Sequence, residues 1–469
     1  MKVKFCGAAR TVTGSSHLLT LDDGFTILLD CGLYQGGDDE LDAFNEHWEF
    51  NPELIDLLVV SHSHIDHIGR IPKLVKDGFK GDIICTHATR DLAAIMLLDS
   101  ASIQEKDAIW MREKQLRRKS EVDVEPLYTV EDAKNCMTQF VGYAYNRWSR
   151  IAPNVEVLFT DAGHILGSAT VTLRITRADG RVTHFGFTGD VGRWNRPILK
   201  DPEPMPQVDY LISESTYGGE FHDELPGDMN QFLEIVHETC VVNKGKLIIP
   251  AFSVGRTQEI VYMLDRLEST GKIKHIPVYV DSPLAVNATD IFTMHHECFD
   301  SEILKYMSTN SNPFGFNGLT YTRSVEESKK LNEKNQPCII ISASGMANAG
   351  RIRHHIFNNV EDAENTILFV GYCAQGTLGA ILRDYPSTIK LFGKELKVRA
   401  NIRIIDGLSG HADQNEMLRF LKNQSQVLLK QTFLVHGEYD RQVKFKDALT
   451  NAGYQNVMIP ELGQEVSIP

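Results

Sequence analysis

Four ligand-type side chains, His62, His64, Asp66 and His67, fall within the stretch SHSHIDHIG at 61–69, directly after the apolar run LIDLLVV. Imidazole nitrogens and carboxylate oxygens are the donors that zinc and similar borderline cations take. In an extended segment, residues 62 and 64 point to the same side, so His62 and His64 can grip one ion. A turn at Ile65 then carries Asp66 and His67 towards a second position, and Gly69 permits a tight exit. A single histidine is usually a packing or surface residue, but a cluster this dense is difficult to explain structurally.

Further ligand-type residues recur beside glycines at the ends of strand-like runs. His164 stands in DAGHILGSA, after a strand ending at Thr160; Asp190 stands in FTGDVG, and His436 in FLVHGE. Flanking glycines let backbone approach closely at such places. Each residue alone reads as readily as a turn or solvated side chain. Their shared placement at strand ends points to one binuclear centre.

Those strands and their connections set the architecture. At 469 residues the chain is long for one hydrophobic core, so two domains or a large insertion are expected. Hydrophobic content of 42% and charged content of 23% are ordinary for a globular protein. Residues 1–208 read mostly as β-strands, with a helical interruption at about 88–148, and ADG at 178–180 supplies a hairpin turn. From 209 to 394, short buried-type strands such as KLIIPAF, IPVYVDS and PCIIISAS alternate with helical stretches, the pattern of a parallel α/β module. Strand texture returns over 395–469 with NIRIIDG and QTFLVHG. The expected fold is a mostly β domain split in sequence (1–208 and 395–469), with a Rossmann-like α/β module inserted at 209–394.

The eight cysteines are scattered without a CxxC pair, which suits buried free thiols in a reducing cytoplasm. No apolar run approaches the roughly 18 residues of a membrane span, and the N-terminus lacks a signal-peptide pattern. A net charge of -14 argues mildly against a nucleic-acid partner, although bound cations or a local basic cleft can reverse the sign.

The segments HSHIDH, GHILG, TGDVG and VHGE, in this order, resemble the metallo-β-lactamase superfamily. The resemblance implies its αββα sandwich and two zinc ions, with manganese as an alternative. His62, His64 and His164 would hold the first ion, and Asp66, His67 and His436 the second. Asp190 would bridge them, and Asp30 in LLDCG would orient a ligand histidine. A hydroxide held between the two ions would then be the nucleophile. That chemistry serves lactams, thioesters and phosphodiesters alike, so the ligand set leaves the substrate open.

Three further segments resemble the motifs of the β-CASP nucleases, whose lactamase-type domain carries an inserted cap: Glu214 in SESTYGG, His411 in GLSGHAD and His436 in VHGE. This implies a ribonuclease, with RNA bound between the lactamase-type and cap domains and a 5′-phosphate and a 3′-hydroxyl as products. His411 would protonate the leaving oxygen, Glu214 would hold that imidazole, and Asp66 and Asp30 complete the catalytic set. In this family a histidine at 436 resembles the RNA-processing branch, with single-stranded DNA as an alternative substrate. The endonucleolytic and 5′-exonucleolytic modes share these motifs. Dimerisation is common among the prokaryotic members.

In the cap, Ser253 and Arg256 of AFSVGRTQE, Asp281 and Ser282 of DSPLA, and Ser344, Gly345 and Arg351 of SASGMANAGR fall in loops after strands. N–H groups, hydroxyls and guanidinium groups there suit phosphate oxygens; Ser253, Arg256, Ser344, Gly345 and Arg351 are the expected substrate contacts. His354 and His355 are adjacent on an expected helix and point apart, which argues against a shared metal. Two other functions remain on the sequence alone. A thioesterase or lactamase-like hydrolase would use the same ligands without needing Glu214, His411 or the cap. A catalytically silent RNA-binding scaffold would ordinarily have lost ligands that are present here.

Overall fold

Alternation along short strands decides which face of each sheet is buried against what. In Thr26–Leu29, Ile27 and Leu29 enter one core and Leu28 a second; in Leu57–Val59, Leu57 and Val59 face the first core and Leu58 the second. Side chains two apart share a face, so one strand serves two cores. The computed structural model describes residues 1–35, 39–118, 124–222, 228–273, 276–371, 373, 376–405 and 409–469. The charged tail of the helical stretch, 119–123, and the Gly407–Leu408 start of GLSGHAD lie outside the described residues.

The chain forms two compact units. The first comprises Met1–Trp194, Lys200–Phe221 and His411–Pro469, and the second Asn195–Leu199 and His222–Gly410. In the first unit two seven-stranded sheets stack face to face. Their shared core takes Val3, Phe5, Leu19 and Val59 from one sheet, and Val157, Phe159, Leu173, Phe185 and Phe433 from the other. Helices cover the outer faces. Ile71–Lys76, His87–Arg118 and Val130–Cys136 bring Leu74, Leu97 and Ala133 against Leu58 and Ile83. Gln414–Leu421 and Tyr439–Asn451 bring Phe420 and Phe445 against Leu211 and Leu434. This is the αββα sandwich.

The second unit is a six-stranded sheet whose strand pairs are parallel throughout. One face packs on helices Val325–Glu333, Ile352–Asn359 and Leu378–Arg383 through Leu331, Ile356 and Leu382.

Three sequence expectations are corrected. The helical interruption does not run to 148: after Val130–Cys136, Phe140–Tyr143 is an edge strand parallel to Asp82–Thr86. Gly142 leaves room there for the His87 ring, which a Cβ at 2.5 Å would displace. YLISEST, expected at the head of the inserted module, is instead the strand Tyr210–Glu214 of the first unit, parallel between Val182–Phe187 and Gln431–Val435. Conversely Asn401–Ile404, expected in the C-terminal return, pairs with Thr366–Phe369 in the second unit. Short apolar strands look alike in composition, and membership is set by the partner strand.

Close backbone contact fixes the segment after the first ligand strand. Residues 31–33 zip onto the short helix Ile65–Ile68: Cys31 N–H donates to the His67 carbonyl at 2.8 Å and Leu33 N–H to that of Ile65 at 2.9 Å. A Cβ at Gly32 would lie 1.6 Å from the Asp66 carbonyl oxygen. Gly32→Ala therefore has to push the ligand-bearing turn away. Its denaturant midpoint is expected to fall by an amount worth about 1–3 kcal/mol, with metal uptake reduced in parallel; an unchanged midpoint would contradict this packing.

Candidate metal centre

Every candidate ligand of the centre leaves the C-terminal end of a strand in the first unit. Asp30 and Ser61–His62 follow the parallel neighbours Thr26–Leu29 and Leu57–Val59. Asp190, Glu214 and His436 stand at the ends of three adjacent parallel strands, Val182–Phe187, Tyr210–Glu214 and Gln431–Val435. His164 follows Val155–Asp161. His64 caps the helix Ile65–Ile68 with extended backbone, and that helix carries Asp66 and His67. Asp30 and His436 are both left-handed, at φ +58° and +49°, a conformation costly for residues with a Cβ. Both are pinned: Asp30 N–H donates to the Val59 carbonyl at 3.0 Å and His436 N–H to that of Ala8 at 2.8 Å.

Two groups of ligand atoms result. In the first, His64 Nδ1 lies 3.1 Å from His62 Nε2 and 3.2 Å from His164 Nε2. Asp190 Oδ2 is 3.4 Å from His62 Nε2 and 3.6 Å from His164 Nε2. In the second, His436 Nε2 is 3.2 Å from His67 Nε2 and 3.3 Å from Asp66 Oδ2. Asp190 also lies 3.4 Å from His67 and 3.6 Å from His436, so it faces both groups.

The residues fit a pair of cations. Three ring nitrogens converge with one carboxylate in the first group, and two with another carboxylate in the second, the donor mixture that zinc takes. Asp190 Oδ1 is buried without a hydrogen-bond partner, an expensive state for a carboxylate unless a cation meets it. Burial pushes the His62 ring down to about 3 and the His64 ring to about 4, which keeps both neutral, the ligand form. His67 goes the other way: burial opposes its charge, but the Asp190, Asp66 and Asp30 carboxylates outweigh it and raise its pKa. Asp30 Oδ2 holds His67 Nδ1 at 2.6 Å and accepts from the Ser61 hydroxyl at 2.8 Å. With Nδ1 held by Asp30, His67 Nε2 faces the His436 ring.

A third group abuts these two. His411 Nδ1 lies 3.2 Å from Glu214 Oε2 and 3.9 Å from Asp190 Oδ2. The Ala412 N–H donates to the Val191 carbonyl at 2.8 Å, and Val191 N–H donates to Glu214 Oε1 at 2.5 Å. Burial works against a charged His411, but Glu214 and Asp190 push its pKa up to about 9. Cations at the neighbouring groups would oppose that rise.

The expected substrate contacts lie in the second unit, after the adjacent parallel strands Lys246–Pro250 and Cys338–Ser342: Ser253, Ser344 and Gly345 on the loops, Arg256 as the first residue of the helix Arg256–Ser269, and Arg351 at the N-terminal cap of Ile352–Asn359. Gly345 sits against Phe252, where a Cβ would be 2.9 Å from the ring, and the hydroxyls of Ser253 and Ser282 are 3.1 Å apart. Ser344 begins the second loop and accepts from Ala349 N–H at 3.5 Å. Arg351 donates to the buried Asp281 carboxylate at 2.6 Å and to the Arg323 carbonyl at 2.8 Å. Arg256 is ion-paired with Glu259, which also binds Arg196. Both guanidinium groups are therefore engaged inside the unit. His355 holds Asp281 at 2.7 Å, whereas His354 stacks on Phe392 with ring centres 4.7 Å apart.

Sequence reasoning passed over two hydroxyls that touch ligand histidines. Ser61 Oγ is 3.1 Å from His62 Nδ1, and Thr216 Oγ1 is 3.0 Å from His436 Nδ1. Ser61 directly precedes His62 in SHSHIDHIG and Thr216 lies two residues after Glu214 in SESTYGG; membership of those segments is the sequence signal for both.

One buried acid beside the centre gives a pH prediction. Burial raises Asp161 to about 7, opposed by the Gly163 N–H that its carboxylate accepts and assisted by Glu203. A carboxyl raised in the fold contributes stability that is complete below about pH 4 and is lost as pH rises through 7. Asp161→Asn keeps an acceptor for Gly163 and cannot ionise. Thermal melts should show the variant more stable than wild type at pH 8, with the gap closing by pH 4; a constant gap would refute the cause assigned.

Comparison with known proteins matches these layers segment by segment. The family model described as the Metallo-beta-lactamase superfamily matches residues 9–231, the Beta-Casp domain 257–382, and the Zn-dependent metallo-hydrolase RNA specificity domain 395–460. Ribonuclease TTHA0252 of Thermus thermophilus is 33% identical over 468 residues, covering 100% of both chains. A transcription termination factor FttA of Methanosarcina mazei is 32% identical over 449 residues, covering 93% of this chain and 67% of its own. An RNase J-like protein of Methanocaldococcus jannaschii is 29% identical, covering 94% of each chain. With ligand groups at the strand ends of an αββα sandwich and a relative aligned end to end, the chain belongs to the metallo-β-lactamase superfamily, in the branch that carries a Beta-Casp domain.

Proposed function

We propose that the protein is a ribonuclease that hydrolyses RNA phosphodiester bonds with two zinc ions. The observation that carries this reading is the Glu214–His411 pair beside Asp190. A phosphodiester's leaving oxygen is a strong base and gains from a placed proton donor, whereas a thioester's thiolate leaves without one. The relative that aligns end to end is named a ribonuclease, and the C-terminal family match carries RNA specificity in its description.

His62, His64, His164 and Asp190 would hold one ion, and Asp66, His67 and His436 the other, with Asp190, 3.4 Å from His67 Nε2, as the bridge between them. Bound there, the ions supply a nucleophile from water at neutral pH and polarise the phosphoryl oxygen. The chain's own contribution is orientation and a proton. Asp30 fixes His67 by its Nδ1. Glu214 accepts from His411 Nδ1–H, which presents Nε2–H to the leaving 3′ oxygen and leaves 5′-phosphate and 3′-hydroxyl ends. Ser253, Ser344 and Gly345 offer hydroxyl and N–H groups for phosphate. Arg256 and Arg351, already ion-paired, act chiefly by holding those loops. The free buried cysteines suit a reducing cytoplasm, and among the described residues no helix is long and apolar enough to cross a membrane.

A time course on 5′-labelled structured RNA, with zinc and separately with manganese, tests the activity, and its fragment ladder shows whether cutting is internal or proceeds from the 5′ end. No cleavage with either ion would sink the proposal. His411→Ala should lower the cleavage rate by about 10²–10⁴-fold while bound zinc stays at two per chain by metal analysis. A wild-type rate in that variant would remove His411 from the chemistry.

A further inference from the structure

The ligand His436 and the proton donor His411 are joined through one hydroxyl. Thr216 Oγ1 donates to Glu214 Oε2 at 2.5 Å, the same oxygen that faces His411 Nδ1 at 3.2 Å. On its other side Thr216 Oγ1 lies 3.0 Å from His436 Nδ1. All three are deeply buried: Thr216 is 8% exposed, His436 3% and Glu214 1%. The Arg441 guanidinium holds the Thr216 carbonyl at 2.9 Å, so the loop is fixed from behind.

A threonine hydroxyl has a single proton. Its shortest contact is a carboxylate oxygen, which accepts and cannot donate. The other acceptor in reach, the His436 carbonyl, is farther at 3.2 Å and already accepts from Ser215 N–H. With the proton on the Glu214 side, the hydroxyl turns lone pairs to His436, so His436 Nδ1 must carry the hydrogen. His436 Nε2 is then bare where it meets Asp66 and His67. Asp190 Oδ1, the next acceptor near Nδ1, is at 3.6 Å. The same arrangement occurs at the other group, where Ser61 Oγ donates to Asp30 at 2.8 Å and faces His62 Nδ1 at 3.1 Å.

We infer that Thr216 is a positioning residue that fixes the tautomer of His436 for metal ligation, and that it ties this ligand to the Glu214–His411 pair. The inference rests on the two-ion reading and not on RNA as substrate. Glu214 is thereby a determinant of metal affinity although it is not among the proposed ligands. The orientation of an amide at position 214 is dictated as well. Val191 N–H donates to Oε1 at 2.5 Å, so Glu214→Gln must keep its carbonyl there and turn its NH2 to Thr216. That NH2 then occupies the Thr216 oxygen, the hydroxyl proton swings to His436 Nδ1, and Nε2 takes the hydrogen where the ion should sit.

The test is zinc affinity, measured by chelator competition on the full chain without RNA. Thr216→Val and Glu214→Gln should each weaken one of the two ions by about 10–100-fold and leave the other unchanged. Thr216→Ser, which restores the hydroxyl, should hold both as wild type does. Melts of the metal-free forms should coincide, separating lost ligation from lost folding. If Thr216→Val does not fold, Glu214→Gln decides alone. Wild-type affinity for both ions in the folded variants overturns the inference. A wild-type chain that takes up no zinc overturns the two-ion reading and this inference with it.

Discussion

A buried carboxylate surrounded by imidazoles sets the terms for the first unit. Asp190 is 2% exposed and has histidines from separate strand ends within 3.6 Å. Burial alone would protonate it, but the neighbouring rings reverse that and hold its pKa well below the ordinary range. An anion kept in so dry a place needs positive charge fixed nearby. The strand ends meet this need by delivering nitrogen donors from both sheets to one spot. The αββα arrangement is what makes such delivery possible, because parallel neighbours end on the same edge.

Precision at that spot comes from backbone contacts more than from the ligands themselves. The 31–33 segment is zipped to the Ile65–Ile68 turn, and Gly32 exists to let the Asp66 carbonyl pass. The left-handed residues Asp30 and His436 bring their side chains to His67 and Asp66. Carboxylates one step back, Asp30 and Glu214, then set which ring nitrogen is bare, directly at His67 and through hydroxyls at His62 and His436. Ligand choice and proton placement are therefore parts of one hydrogen-bonded frame.

The second unit applies a similar rule with different chemistry. Its buried Asp281 is satisfied by Arg351, His355 and Ser328, so the carboxylate there is met by side chains of its own unit and ties loop to helix. Arg351 and Arg256 are likewise ion-paired with carboxylates of the same unit.

Much of the centre was legible in the amino-acid order, because ligand chemistry restricts residue type and the SHSHIDH spacing is too dense for packing to explain. The strands were legible too, since a buried strand must be apolar and short. What the order could not fix was which strand pairs with which: Tyr210–Glu214 and Asn401–Ile404 carry the same apolar signal in either unit, and only their partners assign them. The engagement of Arg351 and Arg256 with nearby carboxylates was likewise invisible, as guanidinium groups in loops read the same whether paired or not. Thr216 is the sharpest case. Its type is unremarkable in a turn, and its meaning depends on 3.0 Å to a histidine 220 residues away. Sequence determined which chemistry was available; tertiary structure decided which atoms were near enough to share a proton, because hydrogen bonding is set by distance and not by order along the chain.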